Sequence, residues 1–87
     1  MSALTEDQVL GRIREELAAI KVPDAESATM DSSWEELDVD SLDLVELVKA
    51  LEDEYGIQIA DEELKPIATV GDAVRLTLRL SSEGATA

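Results

Sequence analysis

Asp40-Ser41-Leu42-Asp43-Leu44-Val45-Glu46-Leu47-Val48-Lys49-Ala50-Leu51-Glu52-Asp53-Glu54-Tyr55-Gly56 is the stretch on which the fold turns. Leu44, Leu47, Val48, Leu51 and Tyr55 recur at three- and four-residue intervals and make one inward stripe. Leu42 and Val45 widen its edge, while Asp43, Glu46, Ala50 and Asp53 share a second stripe on the outer side. Asp40 carries a carboxylate suited to accept from the free amides of a first helical turn. Gly56 is free to take the left-handed backbone that stops a helix. The spacing therefore predicts an amphipathic helix that starts at Asp40 or Ser41 and ends at Gly56. Ser41 stands at its head, where loop becomes helix. The chain has no histidine and no cysteine, so no imidazole is at hand to activate that hydroxyl. A serine displayed without a base reads as a group that is acted upon.

Working outward, residues 21–40 lack sustained periodicity and hold Pro23 with several Ser, Thr and Asp residues. A loop of this length needs anchors or a function. Val22, Met30, Trp34 and Leu37 are the candidate anchors, with Trp34 read as a core plug. Before the loop, Thr5-Glu6-Asp7-Gln8 fits a capping box, and Leu4 and Val9 are spaced for a hydrophobic staple. Val9, Leu10, Ile13, Leu17 and Ile20 then predict a helix over about residues 6–20. Beyond Gly56, Ile57 and Ile59 enter a short linker, and Asp61-Glu62-Glu63-Leu64 has room for one or two helical turns before Pro66. Thr69 followed by Asp72 marks the cap of a last helix that turns Val70, Ala73, Val74 and Leu78 inward. The expected fold is all-α. It is a small antiparallel bundle of three main helices plus one short helix, with the long loop between the first and second main helices. One domain is expected over residues 1–80, with residues 81–87 a disordered tail that has nothing to bury.

Composition bounds the function. A chain of 87 residues makes one domain and buries only roughly 60–65 % of its unfolded surface. With one Trp, one Tyr and no Phe, its core must come from Leu, Ile, Val and Ala. No run approaches the roughly 20 apolar residues of a membrane span, and the basic-then-apolar pattern of a signal peptide is missing. A soluble, cytoplasmic monomer is the expectation. Twenty-one acids face seven bases, for a net charge of −14. That balance argues against nucleic acid or an anionic membrane surface as partner and favours basic protein surfaces. Twelve of the acids fall between Glu35 and Glu63, where Lys49 is the only base. Self-repulsion on one face destabilises a fold, so the concentration points to an attractive partner.

Asp40-Ser41-Leu42 with the acidic helix behind it resembles the acyl carrier proteins. Leu51-Glu52-Asp53-Glu54-Tyr55, Ile59-Ala60-Asp61-Glu62-Glu63 and Thr69-Val70-Gly71-Asp72-Ala73 follow in that family's order and spacing. Asp-Ser-Leu alone occurs widely, whereas the whole series is specific and spans nearly all of the chain. The resemblance implies that Ser41 receives 4'-phosphopantetheine from coenzyme A through a phosphopantetheinyl transferase. It implies a carrier, not an enzyme, that shuttles acyl thioesters between basic-patched synthase and transferase enzymes of fatty acid or polyketide synthesis. It further implies a partner-binding face of Asp40, Leu42, Asp43, Val45, Glu46, Glu52 and Asp53. Leu47, Leu51, Tyr55, Ile59, Leu64 and Ile67 would line the space for the acyl chain. The sequence departs from the family's habit at four places. Asp38 stands where glycine is common, Trp34 where phenylalanine is usual, and Ala60 where proline is frequent. Lys49 puts a positive charge at a site on the partner-facing helix that is often apolar.

Other readings explain less. A calcium loop starting at Asp38 would need a ligand, a glycine and a glutamate where Leu42, Asp43 and Lys49 stand, so no metal site is expected. An aminoacyl or peptidyl carrier shares the serine but is less favoured by the strong acidity. A cofactor-free acidic helical adaptor accounts for the charge and leaves the Asp-Ser-Leu turn unexplained. Acids on a solvated helix face offer a hydrolase neither a raised acid nor a shielded nucleophile.

Overall fold

A computed structural model describes residues 4–85 of the chain. Four α-helices account for most of it: α1, Glu6–Ala19; α2, Ser41–Tyr55; α3, Asp61–Leu64; and α4, Val70–Ala85. A single 3-10 turn, Ala25–Ser27, interrupts the long loop. Among the described residues the only β-type pairing is an isolated bridge between Ser33 and Thr69. The all-α bundle with one short helix is thus the observed architecture. α1 packs against both α2 and α4.

Local chemistry sets the helix ends. Thr5 Oγ1 accepts from the Gln8 amide at 3.2 Å, and Gln8 Oε1 accepts from the Thr5 amide at 3.0 Å, completing the expected capping box. α1 stops at Ala19, with Ile20 as its cap. Lys21 takes a left-handed backbone (φ 66°). Its N–H reaches Ala18 O at 3.0 Å, and Val22 N–H reaches Leu17 O at 2.9 Å. That pairing is the Schellman pattern, with buried Val22 and Leu17 as its apolar contact. Lysine gives no warning of it, because glycine is the residue that usually announces a left-handed end. α2 ends as the sequence predicts: Gly56 has φ 64°, and Ile57 N–H folds back to Glu52 O at 3.2 Å.

The main core joins Val9, Ile13 and Leu17 of α1 to Leu47 and Leu51 of α2 and to Val70 and Val74 of α4. Of the inward residues expected on α4, Val70, Ala73 and Val74 are buried and Leu78 is half-buried. Leu76 and Thr77 are buried as well. Thr77 avoids an unsatisfied hydroxyl by donating to Ala73 O at 2.8 Å. The loop anchors Val22, Trp34 and Leu37 all join the core, and Met30 packs against it. Trp34 is only 7 % exposed. Its indole N–H is buried and has no partner among the described residues.

The C-terminal end differs from expectation. α4 continues through Ser81 to Ala85, past the Leu80 boundary where the domain was expected to give way to a disordered tail. A helix extends by its own i→i−4 backbone bonds and needs no buried face to add a turn, so lack of apolar residues did not mark its end. Residues 86 and 87 of the expected tail lie outside the described residues.

Candidate functional site

Ser41 is the first residue of α2 and is solvent-exposed. Asp40 precedes it with an extended backbone, and its Oδ1 accepts from the Asp43 amide at 2.9 Å. The cap fixes where loop ends and helix begins, and so sets the serine at the rim. The turn that delivers it is built from its own reciprocal bonds. Ser33 N–H donates to Glu36 Oε1 and Glu36 N–H to Ser33 Oγ, each at 3.0 Å. Ser-x-x-Glu here is a second capping-box pattern, legible in the sequence at Ser33 and Glu36 but hidden within a loop that lacks periodicity. Asp38 then takes a left-handed backbone (φ 61°), in place of the glycine common there, and Val39 N–H returns to Trp34 O at 2.8 Å. Aspartate tolerates that conformation better than most residues.

This turn is moored to the far side of the bundle. Trp34 N–H donates to Ala68 O at 3.2 Å, Val70 N–H to Ser32 O at 2.8 Å, and Gly71 N–H to Met30 O at 2.8 Å. Carbonyls of the loop thereby satisfy amides of the first turn of α4, which would otherwise be orphaned. Ser41 rests on a loop strapped to α4, although 28 positions separate Ser41 from Thr69 in the numbering.

The outer face of α2 carries the other expected partner-binding residues. Leu42 is 77 % exposed and Val45 45 %, the two large apolar side chains displayed to solvent among the described residues. Asp40, Glu46, Lys49 and Asp53 are exposed around them, and Asp43 is half-buried. Glu52 differs in kind. It is half-buried, and its Oε2 accepts from the Ile59 amide at 2.8 Å, so it braces the linker after α2.

Comparison with known proteins fits this geometry. Residues 7–77 match the family described as a phosphopantetheine attachment site. The chain is 42 % identical over 79 residues to an acyl carrier protein of Rhodococcus erythropolis, covering 90 % of this chain and 84 % of that one. The chain belongs to the acyl carrier proteins. Acyl carrier proteins of Petrotoga mobilis and Lactobacillus acidophilus are each 40 % identical, over 74 and 72 residues. They are matched over 87 % and 90 % of their lengths, with 84 % and 82 % of this chain covered. The prosthetic group of this family is phosphopantetheine, and an exposed hydroxyl at the head of a capped helix is a position that accommodates it. The function is therefore that of an acyl carrier.

Inside the carrier, the expected acyl-lining residues divide between two apolar clusters. Leu47 and Leu51 are buried in the main core. Ile59 joins Val48, Ile57 and Leu76 in a second, smaller cluster, with Leu64 and Leu80 packed against it. Leu44, Tyr55 and Ile67 touch both clusters and form the seam between them. Burial, and then the neighbouring Glu54 carboxylate, push the Tyr55 phenol above its ordinary value. Val48 was legible as part of the inward stripe of α2. Ile57 and Leu76 were missed, since one follows a helix stop and the other lies off the expected stripe of α4.

Proposed function

We propose that Ser41 is the residue that takes phosphopantetheine, and that the carrier serves enzymes of fatty acid or polyketide synthesis without catalysing a step itself. The observation that carries the reading is the exposed Ser41 hydroxyl directly after the side-chain cap of Asp40, in a chain matched to the attachment-site family. When bound, the group supplies a terminal thiol that holds acyl chains as thioesters, chemistry this cysteine-free chain lacks. Ser41 supplies the point of attachment, and the N-terminus of α2 offers a favourable field to a phosphodiester there. The capped turn keeps the hydroxyl presented to a transferase.

The outer face of α2 supports docking by enzymes whose surfaces are basic with an apolar centre. Leu42 and Val45 provide the apolar contact, and Asp40, Asp43, Glu46 and Asp53 the charge. Exposed pairs of this kind contribute about 0–1 kcal/mol each. Such encounters are fast, weak and salt-sensitive, which suits a shuttle that must leave each enzyme after every step.

Intact-mass analysis tests the assignment. Incubation with coenzyme A and a broad-specificity phosphopantetheinyl transferase is expected to add one phosphopantetheine to the wild type and none to Ser41→Ala. Addition to the alanine variant would place the attachment elsewhere. No addition to either protein would count against the carrier reading itself.

A further inference from the structure

The exposed face of α2 carries one cation, and it stands among the acids. Leu42, Val45, Glu46, Lys49 and Asp53 are all exposed and recur at three- and four-residue intervals, which makes them one helical stripe. At about 1.5 Å of rise per residue, Lys49 lies about 10 Å along the axis from Leu42 and about 6 Å before Asp53. Arg12, Arg75 and Arg79 are each held in ion pairs. Lys49 is in none among the described residues, although Glu46 stands three positions before it and Asp53 four after. Either acid is a neighbour of Lys49 on the helix surface. Its ammonium is thus left to solvent on the surface that docking would cover. Charge along the stripe runs negative at Glu46, positive at Lys49 and negative again at Asp53. A partner whose cations meet both acids brings positive charge against Lys49 as well, unless its patch is broken there. Such a repulsive element separates partners as effectively as an attraction does.

We propose that Lys49 is a specificity residue of the docking face: it disfavours partner enzymes with an unbroken basic patch and selects those with a carboxylate opposite Lys49, set between two cations. The proposal rests on the reading of the α2 face as the docking surface, and of Ser41 as the group loaded there. The partner's complement is then cation, carboxylate, cation, beside an apolar pocket for Leu42 and Val45. Both parts of the demand come from one side chain. Against a carboxylate the Lys49 ammonium attracts; against a cation it repels, and salt weakens either effect. A lysine that only relieved repulsion between Glu46 and Asp53 would alter stability and be indifferent to the charges of the partner.

The probe is a broad-specificity phosphopantetheinyl transferase whose docking patch holds Lys and Arg but no Asp or Glu. Each patch cation is changed singly to Glu, and kcat/KM for loading is measured with the full-length wild-type carrier and with Lys49→Gln. The unaltered transferase is expected to load Lys49→Gln about two- to fivefold faster than the wild type, the range of an exposed charge pair. At one patch position the change to Glu should invert that order, with the wild type loaded about two- to fivefold faster than Lys49→Gln. At positions facing Glu46 or Asp53 both carriers should slow together. The inversion should vanish at about 1 M salt, where exposed charges are screened from one another. Lys49→Glu should show the same preference as Lys49→Gln, only larger. Because Gln adds no charge to the face, a poorly folded Glu variant leaves the test standing. A rate ratio that no patch substitution moves would overturn the proposal while leaving the docking face intact. An inversion untouched by salt would assign the effect to shape and overturn it as well. Patch substitutions that slow neither carrier would remove the docking face itself, and failure to load Ser41 at all would overturn the underlying reading.

Discussion

At the scale of single residues, Gly71 shows how closely the loop is fastened to α4. A Cβ at Gly71 would stand 2.7 Å from Met30 O, a backbone atom that cannot swing aside. Gly71→Ala is therefore expected to destabilise the protein by about 1–3 kcal/mol, the usual range for overpacking. Urea denaturation followed by circular dichroism would measure it, and a loss within error of zero would show that the loop yields easily. Trp34 is the other telling residue. It fills the core, as its place in the sequence implies, but leaves an indole N–H without a partner, a feature the usual phenylalanine would not have. The plug was legible because it is the one large aromatic in an aperiodic stretch. The orphaned donor was not, since satisfaction of a polar atom depends on which groups the fold brings to it.

At the scale of elements, the N-terminus of α4 depends on Asp72. Its Oδ2 accepts from the Ala68 amide at 3.0 Å and from the Thr69 amide at 3.2 Å, while Thr69 Oγ1 accepts from the Asp72 amide at 3.1 Å. The Ala68 amide, then the Arg75 guanidinium at 2.9 Å, hold the Asp72 carboxyl below the usual carboxylate range. A depressed folded-state pKa contributes stability above the unfolded value, near about 3.9. That contribution is lost as pH falls through the folded value. Asp72→Ala is thus expected to cost about 1 kcal/mol at neutral pH, as cap losses do, and the gap to the wild type should narrow as pH falls below about 4. Thermal melts across pH 3–7 (roughly the span over which carboxylates titrate) would check it; a gap constant down to the lowest pH would assign the loss to packing. This cap was readable from Thr69 and Asp72. The end of α1 at Lys21 was not, because a lysine in the left-handed region is tolerated only for what Leu17 and Val22 gain by meeting.

At the scale of the whole molecule, charge is divided by face. Acids crowd the exposed side of α2 around Leu42 and Val45, with Lys49 among them. Glu46→Lys would place a second cation one turn from Lys49. Phosphopantetheine transfer to that variant is expected to slow by about three- to tenfold at low salt and to approach the wild-type rate at high salt, as screened steering requires. Transfer kinetics over an ionic-strength series would decide it. A defect independent of salt would mean that the substitution harmed the bundle and not the encounter.

The sequence alone determined the helices, their caps at Thr5, Asp40 and Gly56, the display of Ser41 and the acidic character of α2. Those features follow from periodicity and from bonds between residues three or four apart, which any reader of the chain can count. Tertiary structure decided the rest. It gave Glu52 the Ile59 amide to hold, divided the expected acyl lining between two clusters, strapped the Ser41 loop to α4 and set Arg79 against Glu63. Each of those depends on groups far apart in the chain meeting across the bundle. Helical spacing says which way a side chain faces; only packing says what it finds there.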